Sequence, residues 1–219
     1  IAGIPKDSLQ EGNIVPKGDE YPEGNCISRT NQCFTESSTS LIIFDFDFDE
    51  QMPEAMKNVK SAEDFKNALL QIIPELLEVQ HYIRPSSSSG IFNIATNEYS
   101  YKDSSSYHLY LPASNCTKKN LDNFIEWFKR KAMQVGLAYV KVHKDSSTGY
   151  RTLVDLSPLK SLCSRLIFEA KPTAIEPLVV QQLQSEFYNM DSNKSLDLSQ
   201  FNPNELIDYK SWYETEKKR

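Results

Sequence analysis

A chain of 219 residues, 39% hydrophobic and 25% charged, has the make-up of a soluble globular protein and room for one substantial domain with a small appendage. No run approaches the roughly 18 apolar residues of a helical membrane span, which excludes a membrane-embedded helix. The net charge of −6 argues against a nucleic-acid binder on charge alone.

That charge is uneven. Between Lys118 and Lys171 the sequence places Lys118, Lys119, Lys129, Arg130, Lys131, Lys141, Lys144, Arg151, Lys160, Arg165 and Lys171. The acids concentrate in the first hundred residues and the tail, so a locally positive surface is compatible with an acidic chain. Cys26, Cys33, Cys116 and Cys163 form no CxxC pair and read as reduced thiols of a cytoplasmic protein. A start at Ile1 rather than methionine reads as a processed chain or an excerpt of a longer one.

Residues 1–40 are rich in Gly, Pro, Asn, Ser and Thr and read as a loop-rich extension packed on the core, with at most one short strand. Residues 41–49, LIIFDFDFD, read as a strand buried at its start. Ser61 followed by Asp64 resembles a capping box. A helix should follow it, with Phe65, Leu69, Ile72 or Ile73, and Leu76 inward, and with Pro74 kinking or dividing it. HYIRP (81–85) reads as a short strand, SSSSG (86–90) as a small-residue loop and YHLYLP (107–112) as an alternating strand.

Thr117 is placed to cap a helix over 118–134 whose Leu121, Phe124, Ile125, Phe128 and Ala132 recur at helical spacing. LAYVKVH, RTLVDL and SRLIFEA read as strands, and a last helical region should begin near Glu176. DSNKSLDLSQFN (191–202) echoes a calcium loop but lacks its glycine and final acid, so it reads as a capped turn. No GxGxxG or P-loop pattern occurs, and strands and helices mix without βαβ alternation. The class is α+β.

The chemistry concentrates at three places. A strand sets Asp45, Asp47 and Asp49 on one face, where like charges repel. A Ser-rich loop precedes His108, and Asp155 stands at the end of RTLVDL. Hard divalent cations such as Mg²⁺ take a few carboxylates together with substrate phosphates. Two carboxylates on one strand and a third from a neighbour can hold two ions for in-line attack at phosphorus, and the ions neutralise the crowded charge. A histidine and arginines nearby would bind a triphosphate. His81 and His143 read as structural or surface residues.

LIIFDFD (41–47), SYH (106–108) and LVD (153–155), in that order, resemble the motifs of the archaeo-eukaryotic primase superfamily, the primase-polymerases. GYRTLVDLSPLKSLCSRLIFEAKPTAIEPL further resembles the members from plasmids, phages and mobile elements. The resemblance spans residues 41–178 and leaves 179–219 as a C-terminal helical segment or linker. It implies an RRM-like catalytic core with a mixed or antiparallel sheet and flanking helices. It also implies Mg²⁺ or Mn²⁺ on Asp45, Asp47 and Asp155, with the incoming nucleotide at His108. Arg151, Arg165, Ser88 and Ser106 are further nucleotide-binding candidates, and Ser86–Ser89 with Gly90 could offer backbone N–H groups to phosphate.

The implied activity is template-directed nucleotidyl transfer on single-stranded DNA from NTPs or dNTPs, with a helicase fused or associated. Asp47 and Asp49 also fit a DxD pair, although Asp45 and Asp47 directly follow the apolar run. IFNIATNEYSYKD separates the serine loop from His108, so either a hairpin is inserted there or the serines lie outside the site. Tyr107, Tyr110 and Phe168 are candidates for a gate against the 2′-OH. The competing functions are a phosphatase-type phosphoryl-transfer enzyme and a non-catalytic, DNA-binding replication-initiator module.

Overall fold

The computed structural model describes residues 37–87, 89–99, 106–160, 173–181 and 183–218, together with the backbone of four short strands near the N-terminus. Those strands are β1 (Ile4–Pro5), β2 (Asn13–Val15), β3 (Cys26–Ser28) and β4 (Phe34–Thr35). β1 pairs with β4 antiparallel and β2 with β3 parallel, where the composition had suggested one strand at most.

β5 (Thr39–Phe46) follows, then the single-turn α1 (Glu54–Lys57), α2 (Ala62–Ile72), β6 (His81–Pro85), β7 (Ile91–Asn93), β8 (Glu98–Tyr99) and β9 (Tyr107–Ser114). Next come α3 (Lys118–Gln134), β10 (Ala138–Val142), β11 (Thr148–Thr152) and α4 (Ser157–Lys160). β12 (Leu178–Val180), β13 (Glu186–Tyr188), β14 (Leu196–Asp197) and α5 (Lys210–Glu216) complete the chain. This is an α+β fold.

β9 organises the central sheet. β5 pairs antiparallel with all of it on one side, from Thr39↔Ser114 to Phe46↔Tyr107. β6 pairs with its first half, β13 with the outer edge of β6, and β14 runs parallel beside Ala113 and Ser114. β10 and β11 form a separate hairpin, and β12, β7 and β8 form a separate three-stranded sheet.

Alternation along β5 sends Ile42, Phe44 and Phe46 to one face, all fully buried. There the Phe44 ring lies 5.7 Å from Phe128 of α3, and Phe46 lies 5.4 Å from Phe65 of α2. The inward residues of α3 are the five that its period indicates. Thr117 caps it by accepting from the Asn120 N–H at 3.3 Å. Ser61 caps α2 by accepting from Asp64 N–H at 3.1 Å, and its hydroxyl donates to the Asp64 carboxylate at 2.7 Å. Pro74 divides that helical stretch, and a 3-10 turn follows at Pro74–Leu77. Each buried phenylalanine contributes about 1.5–3 kcal/mol of transfer free energy, so the two helices are held firmly to one side of the sheet. The other side, which Leu41, Ile43 and Asp45 face, is partly open: Leu41 is exposed, whereas Ile43 is buried.

Two expectations change. Instead of a helix starting near Glu176, residues 178–180 and 186–188 are strands. Val179 and Val180 pair with β7, and Phe187 and Tyr188 pair with β6; β-branched and aromatic residues take up such partners when the fold presents them. RTLVDL leaves the hairpin at Thr152, and Asp155 returns as a single bridge to β5. The expected strand SRLIFEA lies outside the described residues. The turn at 191–202 is capped: Asp197 accepts from Ser199 N–H at 2.9 Å before a 3-10 turn.

Candidate active site

The register of the central sheet builds a row of four side chains across its open face. Arg84 on β6 is opposite His108 on β9, His108 is opposite Asp45 on β5, and Asp45 bridges to Asp155. The Asp155 N–H donates to the Asp45 carbonyl at 2.7 Å, which fixes that last step. Residues more than a hundred positions apart thus occupy successive rungs, where cross-strand neighbours share a face.

The Nε2 of His108 lies 3.3 Å from Oδ1 of Asp45. That oxygen is buried and has no hydrogen-bond partner, because the approach of the ring falls outside hydrogen-bonding geometry. The other ring nitrogen, Nδ1, lies 3.4 Å from the Tyr110 hydroxyl. Asp155 is held from its own loop: Ser157 donates its N–H to Oδ1 at 2.9 Å and its hydroxyl to Oδ2 at 2.6 Å. Ionised carboxylate oxygens keep further lone pairs for another partner.

Asp47 follows two residues after Asp45. Its side chain reaches solvent, yet the surrounding protein and then the Asp45 carboxylate push its pKa above the usual carboxylate range. A hydrogen bond from Ser106 and the charge of His108 work the other way, and Asp155 adds to the rise. Asp47 therefore senses Asp45, His108 and Asp155 together.

Asp49 does not belong to this group. Burial works to raise its pKa, but the hydrogen bond from Lys141 and a backbone N–H from Gln51 at 2.9 Å outweigh that and hold it low. Lys141 sits on β10, so Asp49 ties the end of β5 to the hairpin. Of the two DxD pairs, the fold leaves Asp45 and Asp47 together at the row and gives Asp49 to a lysine.

The serine loop reaches the site despite the intervening segment. A hairpin, β7–β8, is inserted there. Ser86 N–H and the Ser89 hydroxyl both donate to the Ser106 carbonyl, each at 2.9 Å, and the two serine hydroxyls lie 3.1 Å apart. Ser106 is thereby fixed beside Asp47. Arg151 lines a cleft of about 260 Å³ with Asp47, Asp49, Lys141 and Asp155. Ser88, Arg165 and Phe168 lie outside the described residues. Tyr107 points to the helices, with its hydroxyl donating to Lys60 carbonyl at 3.1 Å, whereas Tyr110 is beside His108. His81 is buried, stacked on Tyr188 at 4.9 Å, as a structural histidine would be.

Arg84 is the site residue that sequence reasoning passed over. Its signal was the alternation of HYIRP, which buries His81, Ile83 and Pro85 and turns Tyr82 and Arg84 to the open face.

The oxygen donors of Asp45, Asp47 and Asp155 suit a hard divalent cation, and the unpartnered, buried Asp45 Oδ1 is the kind of atom such an ion satisfies. Among the described residues no group of three or more His, Cys, Asp or Glu side chains is placed to hold a metal ion by itself. Mg²⁺ rarely relies on such a group alone: it is held through one or two carboxylates, waters and substrate phosphates.

No family model matches the chain, and no curated protein or solved structure does either.

Proposed function

We propose that this chain is the catalytic domain of a primase-polymerase, carrying out template-directed nucleotidyl transfer on single-stranded DNA. One observation carries the reading: Asp45, His108 and Asp155, from three distant segments, are neighbours across paired strands, with Asp47 two residues beyond Asp45. Asp45 and Asp47, with Asp155, would hold Mg²⁺ or Mn²⁺. Such ions lower the pKa of a primer 3′-OH and neutralise charge on the α-phosphate and the departing pyrophosphate.

The chain's own groups supply the rest. Ser157 aims the Asp155 carboxylate, and Ser106 orients Asp47. His108 is buried between Asp45 and the Tyr110 hydroxyl, so its ring is fixed in direction, with Nε2 toward the acids, where it donates to phosphate oxygens when protonated. Arg84, paired with His108, and Arg151, in the cleft with Asp47 and Asp155, would hold the triphosphate and the template backbone by charge-assisted hydrogen bonds. The partners are single-stranded DNA, NTPs or dNTPs, and a fused or associated helicase. No helix among the described residues is long and apolar enough to cross a membrane. A cytoplasmic location belongs to the same proposal.

The test is incorporation of labelled nucleotides on a single-stranded template with Mg²⁺ or Mn²⁺. Product from the wild-type chain, lost in Asp45→Asn/Asp47→Asn, supports the reading; no product from the wild type sinks it. A second reading, a non-catalytic DNA-binding module, draws on the two Asp155 oxygens already bonded to Ser157. It requires DNA binding without incorporation, unaltered in the double variant.

A further inference from the structure

Beside the charged row runs a second one, two residues earlier on β6 and two residues later on β9. Phe187 on β13 is opposite Tyr82 on β6, and Tyr82 is opposite Tyr110 on β9. The Phe187 and Tyr82 rings stack at 4.3 Å with an interplanar angle of 26°, and Tyr82 and Tyr110 lie 6.4 Å apart at 30°. Tyr110 then meets His108 edge-on at 6.2 Å. A ladder of rings thus leads from the outer edge of the sheet to the histidine beside Asp45.

This face is exposed toward its outer parts, although Ile43 beside Tyr110 is buried. Phe187 is 59% exposed and Leu41 56%. Leu41, Gln80, His81, Tyr82, Arg84, Tyr110, Pro112 and Phe187 line a broad groove of about 470 Å³. A second, more polar hollow of about 450 Å³ adjoins it, with Tyr82, Arg84, Ser86, Ser87 and Ser89 in its wall. In a chain with net charge −6, no Asp or Glu lines either hollow among the described residues, and Arg84 is common to both.

We infer that this open face is a stacking platform for a single strand of nucleic acid, with bases on Phe187, Tyr82 and Tyr110 and a backbone phosphate at Arg84. Every base has a π-face, so aromatic rings bind single strands with little regard to sequence, and a neighbouring cation holds the backbone. A groove whose described lining carries an arginine and no acid is complementary to a polyanion, and a duplex, whose bases are already stacked on each other, cannot use the rings. The continuity of the ladder with His108 places the bound strand where the proposed chemistry would need its template. The inference deepens the primase-polymerase reading and rests on it for the strand's role, though not for its binding.

The test is fluorescence anisotropy with a labelled oligothymidylate of about 12 nucleotides, within the ~4–16-nucleotide span of single-strand binders. The whole chain is used, without metal or nucleotide. Tyr82→Ala and Phe187→Leu should each weaken binding roughly five- to 150-fold. Tyr82→Phe, which keeps the ring, should bind like the wild type, and unlabelled duplex should compete poorly.

Phe187→Leu keeps an apolar side chain at an exposed position, so folding survives and stacking alone is removed. The inference is overturned if the wild type does not bind the oligonucleotide, or if Phe187→Leu and Tyr82→Ala bind as tightly as wild type. It is also overturned if Phe187→Leu changes only the oligomeric state seen by sedimentation, which would make the face a contact between two copies. Asp45→Asn/Asp47→Asn separates the two claims. Ring-dependent binding that persists in that variant, in a chain whose wild type incorporates no nucleotide, leaves the platform standing and removes the polymerase.

Discussion

Asp45 Oδ1 and His108 Nε2 face each other at 3.3 Å across paired strands, and the aspartate oxygen is buried without a hydrogen bond. An ionised carboxylate oxygen keeps lone pairs for a further partner, so a cation bound here would act through Asp45 directly. Asp45→Asn should therefore cut nucleotide incorporation by on the order of a hundredfold or more, since even outer groups around a metal are worth ~10–100-fold. His108→Ala should act differently, raising the KM for nucleotide more than it lowers kcat. Steady-state kinetics of the two variants, with Mg²⁺ varied at saturating nucleotide, separates the roles. Equal and small effects from both would remove the site from this part of the sheet.

Asp49 is the control that the fold itself supplies. It is bonded to Lys141 and to the Gln51 N–H. Its lowered pKa means that the folded state favours the ionised form. The stabilisation is fully present above the unfolded pKa near 3.8 and is lost as pH falls through the lower folded value. Asp49→Asn should leave incorporation within a few-fold of wild type while lowering Tm at neutral pH. The Tm difference should shrink in strong acid. A collapse of activity in this variant with Tm unchanged would assign the metal pair to Asp47 and Asp49 instead.

Asp47 has the opposite sign. Desolvation and then Asp45 raise its pKa above 3.8, so the folded state holds the proton more tightly than the unfolded chain does. The penalty for ionising it is absent below the unfolded pKa, grows as pH rises toward the folded value, and is complete above it. Asp47→Asn should therefore raise Tm at neutral pH and match wild type in strong acid. The side chain reaches solvent, so screening keeps the gain below the ~2–4 °C that 1 kcal/mol gives a domain of this size. Mg²⁺ should raise the wild-type Tm more than that of the variant. Differential scanning fluorimetry across pH, with and without Mg²⁺, reads both effects, and a lower Tm for the variant at neutral pH would contradict them.

What could be read beforehand divides along a physical line. The extents of α3 and the caps at Ser61 and Thr117 depend on residues within a few positions, and there period and cap chemistry were enough. Asp45, Asp47, His108 and Asp155 were visible because acids at the end of an apolar run and a histidine in an alternating strand stand out locally. Their meeting is a matter of register, which joins Asp45 to His108 and to Asp155. Arg84 gained its place from the same register and gave no local sign beyond alternation. Residues 178–188 misled because their apolar content suits a helix or a strand, and the deciding partners, β6 and β7, lie some hundred residues upstream. The docking of Ser86 and Ser89 on Ser106 likewise depends on the β7–β8 hairpin folding out of the way.

Ser157 offers the most selective test of how Asp155 is used. Its hydroxyl donates to Asp155 Oδ2 at 2.6 Å and its N–H to Oδ1 at 2.9 Å, so the carboxylate is aimed by a residue that need not touch substrate. Ser157→Ala removes the first bond and keeps the second. The stability cost should be about 1 kcal/mol, the net worth of one such bond. If Asp155 serves the cation, the loosened carboxylate should raise the Mg²⁺ concentration for half-maximal rate by about tenfold, in the range of second-layer groups at metal sites. Ser157→Thr, which restores the hydroxyl, should recover most of it. If Asp155 does no more than start the α4 turn, Ser157→Ala should lower Tm with the Mg²⁺ dependence unchanged, and Asp45 and Asp47 would then have to act without it.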